Sequence, residues 1–353
     1  MNEQQIKSAL KDLLLKPTFM MCEPTYYDPA NENPDGKMPN NFSGEQIDHE
    51  KALEQWHGFK DKIEELGGRV ILVPPQQGCG GQVYTADPAA FITDVLVTNA
   101  KVPSIKAIQF AALISQFTNA GRNTEVASHS GTIQTFTNEL QSARLSGVPV
   151  SSILEKTKWN TEGSGDNVYD SYRGIWWSGY SKDLSDPTKG RSDIRAHRTL
   201  QNLTGREVFS MEVASDFFHI DTSQTPLPKG HILSYEGGIT AQSFKAMRKR
   251  MLESFDLAEK DYLIRVSKKD AYNFACNLTV VNDTDLIVTD DISDKLAGKL
   301  AKAGYRLHTL PYSEMRKGGG LFHCTANRIN ITGPKGGTVN DPDYYNRIEL
   351  ALS

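Results

Sequence analysis

The chain has 353 residues, 38% of them hydrophobic and 23% charged, the balance of a globular chain long enough to bury a large core. A net charge of −4 argues against a nucleic-acid binder or a protein of anionic membrane surfaces. No apolar run approaches the roughly 18 residues that span a bilayer, and the polar start from Met1 to Lys11 has no apolar signal core. Cysteines at 22, 79, 276 and 324 follow neither a metal spacing nor a disulfide framework, so reduced thiols in a cytoplasm are expected, with no metal and no cofactor.

In chain order, residues 17–28 read as a strand through Phe19, Met20, Met21 and Cys22, ended by Glu23-Pro24. A proline-rich polar loop follows, and Ser43 with Gln46 three residues on predicts a capping box. The helix behind it carries Ala52, Trp56, Phe59, Ile63 and Leu66 on one face, stops at Gly67-Gly68, and leads into a buried strand, Val70 to Val73. That order of helix, glycine and apolar strand is expected four more times. The helices are placed near 124–145 (before Val148 to Ile153), 193–203 (before Val208-Phe209), 241–255 (before Tyr262 to Val266) and 292–303 (before Tyr305 to Leu310). Further β-like runs precede them at 89–98, 173–180, 231–235, 274–281 and 285–289. The pattern is about five ββαβ-like units without a composition break, which points to a propeller or solenoid. One domain over 1–332 is expected, with an added helix and loop at 100–121 and a surface extension at 333–353.

Four polar clusters lie just beyond apolar strands. Tyr84-Thr85-Ala86-Asp87-Pro88 sets a carboxylate before a proline, which favours an extended or turn conformation. Glu162-Gly163-Ser164-Gly165-Asp166 puts two carboxylates on a glycine-broken turn. In Phe218-His219-Ile220-Asp221-Thr222, a strand would turn His219 and Asp221 to one face. Gly318-Gly319-Gly320 leads to His323-Cys324-Thr325, where a glycine loop could offer backbone amides to a thiolate. Each has a structural alternative: an Asp-Pro turn, a loop, a satisfied surface pair, and a small buried cysteine at the start of a core strand.

Together, in this order and spacing, the four clusters resemble those of the guanidino-group-modifying enzymes of the pentein fold: arginine deiminases, dimethylarginine dimethylaminohydrolases and amidinotransferases. The resemblance covers roughly 17–332. It implies a five-bladed α/β propeller of ββαβ modules with pseudo-fivefold symmetry, in agreement with the repeat. It implies that Cys324 is the nucleophile of a covalent thiouronium intermediate, His219 the general acid/base, and Glu162 the carboxylate that orients the histidine or contacts the substrate. Asp87, Asp221 and Asp166 are expected at the guanidinium. Arg191, with Arg122 as a weaker candidate, is expected on a substrate carboxylate.

The implied activity is hydrolysis of a C–N bond of arginine or an arginine derivative, giving a citrulline-type product and ammonia or an alkylamine. The partner is then a small guanidino molecule, with a homo-oligomer as an option. The alternatives are an amidinotransferase that passes the amidino group to an amine and a non-catalytic pentein that binds a partner. The chain departs from the relatives it resembles. Gly81 stands where dimethylarginine hydrolases usually carry an acid. Arginine dihydrolases usually have Asn where Asp87 stands, which speaks against a double hydrolysis. His323 before Cys324 is commoner in amidinotransferases and agmatine deiminases, and on a strand it would point away from Cys324.

Overall fold

A computed structural model describes residues 16–29, 46–75, 77, 80–87, 89–92, 95–98, 125–127, 161–184, 191–214 and 216–328. Within them the strands form five three-stranded sheets. In each, a middle strand pairs antiparallel with one neighbour and parallel with the other.

The first sheet has β1 (Thr18–Cys22) in the middle and β2 (Arg69–Val73) parallel to it. Helix α1 (His49–Glu65) connects them and buries Ala52, Trp56, Phe59 and Ile63, the apolar stripe expected from the sequence. Its cap is Asp48, whose carboxylate accepts from the Lys51 N–H at 3.1 Å. The expected capping Ser43 lies outside the described residues, and the helix begins later than the Ser43/Gln46 spacing suggests because Asp48 takes that role.

The second sheet joins β3 (Ala89–Ile92), β4 (Val95–Thr98) and β5 (Glu125–Ala127), with β5 parallel to β4. Here the sequence expectation fails: a helix was expected from 124, and the chain is a strand at 125–127. Glu125-Val126-Ala127 suits either state by composition, and pairing to β4 decides for the strand. The expected strand Val148 to Ile153 lies outside the described residues, as do 100–121 and 333–353.

The third sheet holds β6 (Asn167–Asp170), β7 (Ile175–Tyr180) and β8 (Val208–Glu212), with α3 (Ala196–Thr204) before β8; α2 is the single turn Gly163–Asp166. The fourth holds β9 (Gln224–Pro226), β10 (Ile232–Ser234) and β11 (Leu263–Arg265), bridged by α4 (Ala241–Phe255) and the turn α5 (Glu259–Tyr262). After α6 (Lys268–Tyr272), the fifth holds β12 (Thr279–Val280), β13 (Asp285–Thr289) and β14 (Arg306–Leu310), with α7 (Asp294–Lys302) as the crossover. The strand expected over 274–281 shrinks to two residues because 274–278 form the turns after α6.

The last strand, β15 (Asn327–Arg328), follows the helical turns α8 (Ser313–Arg316) and α9 (Phe322–Thr325) and returns to β1, antiparallel through Phe19–Arg328 and Met20–Asn327. The first sheet is thus completed by the far end of the described chain. Besides a small cluster of Ala90, Tyr169, Trp176 and Leu200, two larger apolar clusters back the sheets among the described residues. One gathers Trp177, Leu233, Met247, Leu286 and Leu300; the other gathers Trp56, Phe59, Tyr312, Met315 and Phe322. Among the described residues, no helix is long and apolar enough to cross a membrane.

Candidate active site

The glycine loop after α8 is shaped by two tyrosines. A Cβ on Gly318 would strike the hydroxyls of Tyr84 and Tyr27. Those hydroxyls lie 2.7 Å apart, and both reach the Met315 carbonyl, at 2.7 and 3.1 Å. Gly319 has φ +91°, a conformation that favours glycine, and a Cβ on Gly320 would stand 2.7 Å from the Tyr84 ring and 2.8 Å from the Cys324 Cβ. The loop feeds α9, so Cys324 sits on a helical turn and not on the expected strand. The alternation that would have turned His323 away therefore does not operate: His323 Nδ1 lies 2.8 Å from Asp221 Oδ2, the same oxygen that the Cys324 Sγ approaches at 3.4 Å.

The Asp87 loop ties the clusters together. Ala86 N–H donates to the Cys324 carbonyl (3.0 Å), and Ser164 N–H donates to the Ala86 carbonyl (2.9 Å). Asn327, from the closing strand, donates through Nδ2 to the Thr85 carbonyl (2.9 Å) and accepts from Ser164 Oγ (2.9 Å). Strand ends from three sheets thereby hold Asp87, the Glu162–Asp166 turn and Cys324 side by side.

His219 is fully buried, and Gly165 lies so close that a Cβ there would be 2.6 Å from His219 Nδ1. Its Nε2 is 2.7 Å from Glu162 Oε2; its Nδ1 has no hydrogen-bond partner among the described residues and faces Asp87 Oδ1 at 3.9 Å. The segment is extended at His219 and then tightens into a 3₁₀ turn, Ile220–Thr222. The expected shared strand face is therefore absent: His219 meets Glu162, and Asp221 meets Cys324. Burial opposes the imidazolium, but Glu162, Asp166 and Asp87 outweigh it and push the His219 pKa up to about 9. Burial, with Asp221 and Asp87, raises the Cys324 pKa well above its usual value, opposed by a hydrogen bond from Asn277.

Asp166 is wholly buried and already engaged, accepting from Ser192 Oγ (2.6 Å) and from the Ile220 N–H (3.1 Å). Burial pushes its pKa up to about 7. Both of its carboxylate oxygens, expected at a guanidinium, are thus engaged by Ser192 and by the segment that follows His219. Arg191 is brought to the site, but its Nη1 donates to Glu162 Oε2 at 3.1 Å and its guanidinium lies 5.0 Å over the Phe218 ring. Arg122 lies outside the described residues. Asp221 keeps one buried oxygen, Oδ1, without a partner among them.

Two residues had no signal in the sequence. Ser192 accepts from the Glu162 N–H (2.8 Å) while donating to Asp166. Asn277 touches Asp221, Cys324 and Leu321. A lone serine after Arg191 and a lone asparagine after Cys276 form no motif; only the fold brings them in. Among the described residues, no group of three or more His, Cys, Asp or Glu side chains could hold a metal ion.

No family model matches the chain. Among curated proteins it is 28% identical over 314 residues to the bifunctional arginine dihydrolase/ornithine cyclodeaminase ArgZ of Synechocystis, covering 88% of this chain and 37% of that protein. The chain thus spans little more than a third of that relative. It is 24% identical over 286 residues to the dimethylarginine dimethylaminohydrolase of Mycobacterium tuberculosis, covering 80% and 78%. Among solved structures, the N-terminal domain of ArgZ, captured covalently bonded to a reaction intermediate, superposes with a TM-score of 0.69 at 25% identity over 90% of this chain and 98% of that one. The chain has the pentein fold of these guanidino-group-modifying enzymes. A second pentein, the dimethylarginine dimethylaminohydrolase of Pseudomonas aeruginosa complexed with citrulline, shares the fold with a TM-score of 0.58 at 15% identity, covering 89% of this pentein and all of that chain.

Proposed function

We propose that this pentein hydrolyses a C–N bond of the guanidinium group of arginine or an arginine derivative, with Cys324 as nucleophile, and that its five sheets are the blades of one propeller around the site. The observation that carries the reading is the pairing of a buried thiol with a buried carboxylate that has an oxygen to spare. Cys324 Sγ is 3.4 Å from Asp221 Oδ2, while Asp221 Oδ1 has no partner among the described residues. A guanidinium offers the N–H groups such an oxygen lacks, and its positive charge favours the thiolate beneath it.

In this reading Asp221 and Asp87 hold the planar cation over the sulfur. The thiolate adds to the central carbon. His219, an imidazolium at neutral pH, passes its proton from Nδ1 to the departing amine, and the C–N bond breaks to leave the thiouronium. The neutral imidazole, held at Nε2 by Glu162, then takes a proton from water. The resulting hydroxide attacks the same carbon, collapse expels the thiolate, and the added hydroxyl gives up its proton to solvent to leave a neutral ureido product. Asp166 and Arg191 act one step removed: Asp166 braces the His219 segment, and Arg191 braces Glu162.

The named relatives act with water, which favours water over an amine as acceptor here. The test is mass spectrometry of products from a panel of guanidines with no amine added. Many turnovers to an ureido product are expected from wild type and none from a folded Cys324→Ser variant. A requirement for an added amine, or unimpaired turnover by that variant, overturns the reading. A single ammonia per arginine, with citrulline and not ornithine as product, is expected from Asp87 in the place where dihydrolases usually have Asn.

A further inference from the structure

Between α6 and β12 the chain makes a costly turn. Phe274 has φ +59°, a backbone conformation rare for a bulky aromatic residue, while its ring is buried in the cluster beneath the Cys324 turn. The turn closes with Asn277 N–H donating to the Phe274 carbonyl at 2.9 Å, and delivers a fully buried Asn277 side chain to the site. Local strain of this kind persists only where surrounding structure enforces it, and it gathers at functional positions.

Every polar hydrogen and the oxygen of that side chain are used. Oδ1 accepts from the Leu321 N–H (2.9 Å) and the Cys324 N–H (3.2 Å). Nδ2 donates to Asp221 Oδ2 (2.8 Å) and to Cys324 Sγ (3.1 Å). Main-chain N–H groups can only donate, so they fix the oxygen on their side and the NH₂ on the other. The Asn277 carbonyl further accepts from the His323 N–H at 3.3 Å.

A thiolate 3.4 Å from a carboxylate is a like-charge pair between two buried side chains, where repulsion is weakly screened. The Asn277 amide places one hydrogen on each anion. We propose that Asn277 is the positioning residue of Cys324: it fixes the α9 turn through its oxygen and allows the thiolate to form beside Asp221 through its NH₂. The consequence for turnover rests on the hydrolase reading; the effect on the sulfur does not.

The test follows alkylation of the full chain by iodoacetamide at the Cys324 peptide, by mass spectrometry, from about pH 6 to about pH 10. Wild type is compared with Asn277→Ala, which removes the donor without adding charge, and Asn277→Asp, which keeps the acceptor and loses the donor. Across that range alkylation is expected to slow about tenfold in the alanine variant, the equivalent of a thiol about one unit harder to ionise, and further in the aspartate variant. If the hydrolase reading holds, kcat falls in parallel while KM changes little. If that reading fails, no protein turns over guanidines, yet the alkylation shift remains. Either variant, melting cooperatively and alkylating with the wild-type profile, overturns the proposal. The two substitutions perturb the packing differently, so loss of folding in one leaves the other decisive.

Discussion

In the proposed mechanism His219 and Glu162 work as a unit, and the proton affinity of His219 comes from surrounding carboxylates that outweigh its burial. An imidazole with a pKa near 9 is charged at neutral pH and can protonate a leaving amine from the start, so turnover should decline on the alkaline side as it loses that proton. Glu162→Gln keeps the shape and removes the charge; the alkaline limb should move down by about one unit or more toward the ordinary histidine range. A limb that stays in place in Glu162→Gln assigns it to another group. Arg191 decides a neighbouring question. In the proposed mechanism its contact with Glu162 makes it a brace, so Arg191→Ala should slow arginine and agmatine, which lacks the α-carboxylate, by similar factors. A loss confined to arginine would restore the carboxylate grip expected from sequence. The cost of one charged hydrogen bond, about 1.5–3 kcal/mol, sets the scale.

Among the elements, α1 and the α9 turn are linked by aromatic packing. Phe322 stands 4.8 Å from Phe59 on α1 and stacks on Tyr312 at 4.6 Å, two positions before Cys324. Phe322→Ala should lower stability by about 3–5 kcal/mol and loosen the sulfur as well. Chemical denaturation checks the first and turnover well below the melting transition checks the second; a stable variant with wild-type kcat separates the packing from the site. The aromatic stripe of α1 was legible in sequence because a 3.6-residue period survives any tertiary context, and α4 was placed at 241–255 for the same reason. The glycine loop before Cys324 was legible because few other patterns demand three glycines. What escaped is what pairing or turns decide: β5 where a helix was expected, the 3₁₀ turn that parts His219 from Asp221, and Asn277, whose significance is a set of distances and not a spacing.

At the scale of the whole molecule, buried proton-holding groups make folding itself pH-dependent. The His219 pKa is raised in the folded protein from 6.5 to about 9, so its contribution to stability is full below about 6.5 and is lost as pH rises through about 9. Asp166, raised from 3.8 to about 7, acts in the same direction at lower pH: the folded state binds its proton more tightly, and stability falls as pH rises through that window. Melting temperature should therefore fall between pH 6.5 and about 9.5, and fall less steeply in His219→Asn. Scanning calorimetry across that range checks it, and equal slopes in the two proteins would refute a His219 contribution. The closing strand has a further meaning when the chain is pictured emerging from the ribosome. Cys324 lies three residues before β15, and β15 completes the sheet that β1 begins. A nascent chain can carry His219, Glu162 and both aspartates while its first sheet still lacks an edge and its sulfur has yet to be made. The proposed nucleophile and the last pairing of the first sheet are therefore synthesised almost together, after the other described elements.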